Sequence, residues 1–218
     1  MSRRLPLSAD PSADVLGAAY GILSTGGVLA MPTESYYALG ARACDGEAVH
    51  RVCAIKGRGE DKPILVLISD RTQLAQLVTD VPHPAQVLMD RFWPGSLTVL
   101  FPAAAHLPQE LTRRTGTVGI RQPARQDVLR LLRHVGPLTG TSANRTGHPP
   151  ARTAEHVLEE FGPDVDLILD GGETSGGLPS TLVDATRSIR VLREGPVSRE
   201  AIREALEQSG ILMPDQPL

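Results

Sequence analysis

The stretch that most constrains this chain is Gly26–Gly40, GGVLAMPTESYYALG. Two glycines open it, Val28, Leu29, Ala30 and Met31 form a short apolar run, and Pro32 stops that run. A brief apolar run between glycine and proline reads as a buried strand feeding a sharp loop. The loop then places Thr33, Glu34, Ser35, Tyr36 and Tyr37 in succession, in a chain with only 3 tyrosines. Hydroxyls, a carboxylate and phenols crowded at a strand end are where an α/β protein often holds its ligand. A polar turn that merely covers the strand end reads the same way, so the other loops must decide.

Those loops sit in an alternating pattern. Apolar residues recur at helical spacing over Asp14–Leu23 (with Ser12 as cap and Gly26 as stop), Glu47–Lys56 (stopped by Gly57), Thr72–Val78, Pro84–Trp93 and Ala124–His134. Two more helices are expected from Thr153 to Phe161 and from Ser198 to about Gln208. Strands are expected at Val28–Met31, Ile64–Ile68, Leu97–Phe101, Thr117–Arg121, Leu138–Thr141 and Leu167–Leu169. Ser180–Asp184 and Ser188–Arg193 read as a hairpin. The alternation predicts an α/β fold with one twisted mixed sheet flanked by helices. At 218 residues a single domain is expected, over 12–208, between an N-terminal tail (1–11) and a C-terminal tail (209–218).

Charge excludes some function classes. A net charge of −3 and 3% aromatic residues argue against a global pull toward nucleic acid and against base-stacking platforms. No run approaches the roughly twenty apolar residues of a membrane span, and MSRRLPLSADPSAD lacks the apolar core of a secretory signal. A cytoplasmic protein with no membrane partner is expected. Cys44 and Cys53 have no CxxC spacing and no second pair, so no metal ligands are predicted. Walker, GxGxxG, HExxH and GxSxG motifs are absent.

What remains are polar strand ends. Of 22 basic residues only Lys56 and Lys62 are lysines, and both lie in KGRGEDKP. Lys56 and Arg58 are two apart beside Gly57 and Gly59, so they can converge on one anion or simply form a solvated charged loop. Thr141, Ser142 and Asn144 can hold a phosphate or adenine without charge, or make an ordinary turn. Arg121 ends a strand, where a guanidinium clamps a carboxylate or forms a surface ion pair. Ser180 opens another strand and Arg193 ends one more. Such ends gathered in one domain favour a shared cleft.

Taken together, PTESYYALG (32–40), KGR with KPI (56–64), WPGSLTVL (93–100), VGIRQP (118–123), TSANRTG (141–147), PSTLVD (179–184) and LREG (192–195) resemble the YrdC-like family, the L-threonylcarbamoyladenylate synthases. The resemblance covers roughly residues 12–208, in the family's order, and fits its short, single-domain form. It implies a twisted α/β fold with a large, positively lined cavity. It also implies a reaction in which L-threonine, bicarbonate or CO2 and ATP, with magnesium, give threonylcarbamoyl-AMP and pyrophosphate. A tRNA-modifying transferase complex would then take the product to the adenosine beside the anticodon.

By the same resemblance Thr33, Arg121, Ser180 and Thr141 are expected to contact threonine. Lys56, Arg58, Thr117, Ser142, Asn144 and Arg193 are expected to contact ATP, with Lys56 and Arg58 as catalytic cations and Gly57–Asp61 as a lid. Tyr36 and Ala38 depart from the commoner valine and glycine, and Leu67 stands where longer members often carry histidine. Two other readings stay open: a carbamoyl-adenylate-forming module like that of hydrogenase-maturation proteins, and an RNA-binding or ribosome-associated paralogue without synthase activity. Weak direct RNA binding would accompany the latter.

Overall fold

A computed structural model describes residues 3–57, 63–112 and 115–213. Arg58, Lys62 and the lid stretch after Gly57 therefore lie outside the described residues. Among the described residues the chain forms β1 (Arg3–Pro6), α1 (Ala13–Ser24), β2 (Leu29–Pro32), β3 (Tyr37–Gly40), α2 (Gly46–Lys56), β4 (Val66–Leu67), α3 (His83–Phe92), β5 (Leu97–Pro102) and α4 (Gln109–Thr112). It continues through β6 (Thr117–Arg121), α5 (Gln126–Val135), β7 (Leu138–Thr139), β8 (Thr141–Ser142), α6 (Ala154–Phe161), β9 (Leu167–Asp170), β10 (Thr181–Asp184), β11 (Arg190–Arg193) and α7 (Arg199–Glu207).

The expected α/β class with helix-flanked mixed strands is what the chain adopts, but in two sheets where the sequence predicted one. The first has the order β1-β9-β2-β3-β8 and the second β11-β10-β5-β6-β4-β7. Both mix parallel and antiparallel neighbours: β2 runs parallel to β9 and antiparallel to β3, while β5 runs parallel to β10 and antiparallel to β6. Residues of β2 and β3 are all buried, which explains the unbroken apolar run. Val28 and Ala30 enter one core, Leu29 and Met31 the other, as the strand period of two demands.

The helix boundaries follow local chemistry. Ser12 accepts the Val15 N–H, Asp45 that of Ala48, Thr153 that of His156 and Ser198 that of Ala201. α2 ends at Gly57, whose φ of 57° is the left-handed conformation that glycine adopts without a Cβ penalty. The expected Thr72–Val78 helix is a 3-10 turn over Arg71–Gln76, and the expected Ile64–Ile68 strand contracts to β4.

Leu138–Thr141 does not form one strand. Gly140 divides it, so that β7 joins the second sheet and β8 the first. A Cβ at Gly140 would lie 2.5 Å from Leu67 Cγ and 2.8 Å from Leu65 Cδ1, so the crossing is packed tightly from one side. Arg3–Pro6, in the stretch read as a tail, pairs in parallel with β9, and Arg4 bonds Asp170 and Glu155. β3 was not foreseen either, because Tyr36-Tyr37 reads as the end of a polar loop.

Two outcomes follow from this packing. Gly140→Ala should lower unfolding free energy by about 1–3 kcal/mol through overpacking, read from the urea midpoint; an unchanged midpoint would contradict the close approach. Asp170 gives a pH dependence. Burial alone would raise its pKa, but Arg4, the Gly172 N–H and Tyr37 hold it below the ordinary value. A depressed carboxylate stabilises above its unfolded pKa of about 3.9 and loses that contribution as pH falls through the folded value. Asp170→Asn should therefore flatten the acid side of the stability profile below about pH 5, and an identical acid limb would contradict the assignment.

Candidate active site

The turn between β2 and β3 is closed by its own polar groups. Thr33 donates its N–H to Tyr36 O at 2.9 Å and its hydroxyl to the same oxygen at 2.7 Å. Tyr37 is fully buried, and its hydroxyl donates to Gly172 O at 2.9 Å while accepting the Gly171 N–H at 3.2 Å. Burial pushes the Tyr37 pKa up to about 12, so this phenol stays neutral and serves as a strut. The Tyr36 hydroxyl reaches Gly177 O at 2.9 Å, tying the glycine-rich loop before β10 to the same turn.

Beside the turn lies a cavity of about 210 Å³. That is below the roughly 300–1,000 Å³ of pockets for drug-sized ligands, and it suits a molecule of amino-acid size. Its lining combines polar groups, from Thr33, Arg121, Thr141, Ser142, Ser180 and Arg193, with the apolar side chains of Leu65, Leu67, Leu100 and Leu182. Both sheets contribute. Thr141 and Ser142 come from β8 in the first, while Arg121 ends β6 and Arg193 ends β11 in the second.

Arg121 is 5% exposed. Its Nε donates to Gly95 O at 2.8 Å and its Nη2 to the Glu34 carboxylate and, at 3.5 Å, to Ser96 Oγ. Burial pushes the guanidinium's pKa down, and Glu34 opposes that push. Arg193 donates to Ser180 O from Nε at 3.1 Å and from Nη2 at 2.9 Å. Burial lowers its pKa as well, and the like charge of Arg121 acts in the same direction. The Ser180 hydroxyl shares a 2.8 Å hydrogen bond with Thr98. Two guanidiniums close enough to repel, Arg121 buried and Arg193 on an exposed strand end, with Glu34 paired to only one of them, favour a bound anion.

Lys56, at the end of α2, packs against the Ser142–Asn144 turn. Only 3% exposed, it donates Nζ to Ser142 O, to Asn144 O at 2.7 Å and to Asn144 Oδ1 at 3.3 Å. Ser142 Oγ donates to Asn144 Oδ1 at 2.6 Å, and Asn144 Nδ2 to His148 O at 2.9 Å. The ammonium thus holds the Ser142–Asn144 turn from behind. Lys56 and Asn144 are not in the cavity lining. Neither is Thr117, at the start of β6 and bonded to Thr115 at 2.8 Å. Tyr36, Ala38 and Leu67, the departures from the family pattern, all line it. Sequence reasoning missed Thr98 and the pairing of Glu34 with Arg121; the alternation in Leu97–Leu100 offered the only signal for the former. Among the described residues no group of three or more His, Cys, Asp or Glu can hold a metal ion.

The family that groups Sua5, YciO and YrdC, described as telomere recombination, matches residues 21–195. The chain belongs to this family. A Mycobacterium tuberculosis relative is 40% identical over 201 residues, 91% of this chain and 93% of that one. The threonylcarbamoyl-AMP synthase of Pyrococcus abyssi is 38% identical over 86% of this chain, which spans 56% of that longer protein. The crystal structure of P. abyssi Sua5 complexed with L-threonine superposes with a TM-score of 0.85 at 34% identity, covering 98% of this chain and 62% of that one.

If the Lys56 ammonium holds the Ser142–Asn144 turn, Lys56→Ala should cost about 1–3 kcal/mol by stranding those oxygens. Thermal or urea unfolding checks this, and a variant as stable as the wild type would contradict it.

Proposed function

We propose that this protein is an L-threonylcarbamoyladenylate synthase. The reading rests on one observation above the others: Thr33, Arg121, Thr141, Ser180 and Arg193, from separate elements of two sheets, meet around a cavity of amino-acid size. The Pyrococcus relative's name and the Sua5 complex with L-threonine support it.

The division of labour we propose follows from residue chemistry. Arg121 receives the threonine carboxylate, Thr33, Thr141 and Ser180 bond its polar groups, and the leucines of the lining receive its methyl. Ser142, Asn144 and Arg193 contact ATP, together with Lys56, Arg58 and Thr117. Lys56 brings its charge to ATP beside the turn it holds, and Arg58 is the cation assigned to the triphosphate. The threonine amine gives up a proton as it captures CO2 to form a carbamate. A carbamate oxygen then forms the new bond to the α-phosphorus while the bond to the departing pyrophosphate breaks.

No protein nucleophile takes part in that sequence. Catalysis is positioning and cationic stabilisation of charge on the phosphates, inside walls that keep water from the labile carbamate. The described residues offer no carboxylate cluster for magnesium. Magnesium commonly reaches such sites on substrate phosphates, so we assign it to the nucleotide and derive no step through it. Transfer of the threonylcarbamoyl group to tRNA by a separate complex, in the cytoplasm, completes the proposal.

Pyrophosphate release from ATP and bicarbonate should require L-threonine. Threonine-independent release, or none, would favour a carbamoyl-adenylate module or an inactive RNA-binding paralogue. Serine should react less efficiently by a factor worth about 1–3 kcal/mol, the contribution of one methyl in an apolar pocket, and equal efficiency would refute a threonine-shaped site.

A further inference from the structure

Glu34 is placed to do something that no motif assigns to it. Its Oε2 accepts from Arg121 Nη2 and its Oε1 from the Ala124 N–H, so both carboxylate oxygens are engaged. Its backbone carbonyl accepts the Ser175 hydroxyl at 2.7 Å, and its neighbour Ser35 accepts the Gly176 N–H at 2.8 Å. One residue therefore joins the β2–β3 turn, the segment after β6 and the glycine-rich loop before β10. The Arg121 side chain is 6% exposed and that of Glu34 25%, so this ion pair is largely out of water, where charge-assisted bonds hold geometry most firmly. With Nε on Gly95 O and Nη2 on Glu34, Nη1 is the guanidinium nitrogen without a protein partner among the described residues.

We propose that Glu34 is the positioning residue of the amino-acid site. It fixes the Arg121 guanidinium before substrate arrives, so that the substrate carboxylate meets an oriented donor. This inference rests on the synthase reading above and names the residue that sets its affinity for the amino acid. General-base chemistry is a poor alternative, because a base needs a carboxylate oxygen within reach of the substrate proton, and Glu34 is not among the residues that line the cavity. A carboxylate that merely neutralised Arg121 would not need the Ala124 N–H as a second anchor.

Steady-state pyrophosphate release, with threonine and ATP varied separately, tests this in the full chain. Glu34→Gln should raise the threonine KM on the order of ten-fold while the ATP KM and kcat change by less than about two-fold. Glu34→Asp, which restores the charge on a shorter arm, should recover part of that loss. A kcat lowered about 100-fold or more at unchanged threonine KM would assign Glu34 to proton transfer and overturn the proposal. An unchanged threonine KM in a threonine-dependent enzyme overturns it too, leaving the synthase reading intact. Wild-type turnover that ignores threonine defeats the synthase reading and this inference with it. Should Glu34→Gln fail to fold, the wild type still decides: Arg121 guanidinium resonances should show hindered rotation by NMR without threonine, and free rotation overturns the proposal.

Discussion

The structure depends on one constraint, the burial of β2 on both faces. Val28 and Ala30 pack into one core, Leu29 and Met31 into the other, and no residue of the strand reaches water. A strand this dry cannot carry polar side chains along its length, so they collect where it ends. Thr33, Glu34 and Ser35 occupy that end, and each has a job there: Thr33 closes the turn, Glu34 clamps Arg121, and Ser35 receives the glycine-rich loop. The apolar run and the polar cluster are one device, a rigid base and the groups it aims.

A second constraint makes the space those groups face. Gly140 passes so close to Leu65 and Leu67 that a side chain would collide, and there the chain leaves one sheet for the other. The cavity lies at this crossing, with Gly140 and Leu67 in its lining. Its amphipathic character follows, since the sheets bring apolar leucines and the strand ends bring hydroxyls and guanidiniums. Lys56 belongs to the same economy of positions. A buried ammonium costs several kcal/mol unless it is well bonded, and three oxygens of the Ser142–Asn144 turn supply that bonding.

Much of this was legible in the sequence because local signals and tertiary packing agree. The caps at Ser12, Thr153 and Ser198 and the stop at Gly57 place their helices within a residue or two. Thr33, Arg121, Thr141, Ser142, Ser180 and Arg193 do meet in one cavity. What was hidden depends on partners far along the chain. β1 forms because β9, more than 160 residues later, offers it an edge. The split at Gly140 is set by the leucines it passes, which no local pattern shows. Lys56 reads either as a cation for a bound anion or as part of a solvated loop, and only the fold reveals the carbonyls it bonds. Glu34 reads as one more polar turn residue until β6 brings Arg121 to it.

The central claim is that the polar groups lining this cavity bind an amino acid through Arg121 while Arg193 faces the nucleotide. A crystal structure of the protein with L-threonine and a non-hydrolysable ATP analogue tests it most directly. The account predicts the threonine carboxylate on Arg121, its methyl toward the lining leucines, and the phosphates beside Arg193. Threonine bound outside this cavity, or its carboxylate placed away from Arg121, would contradict the account.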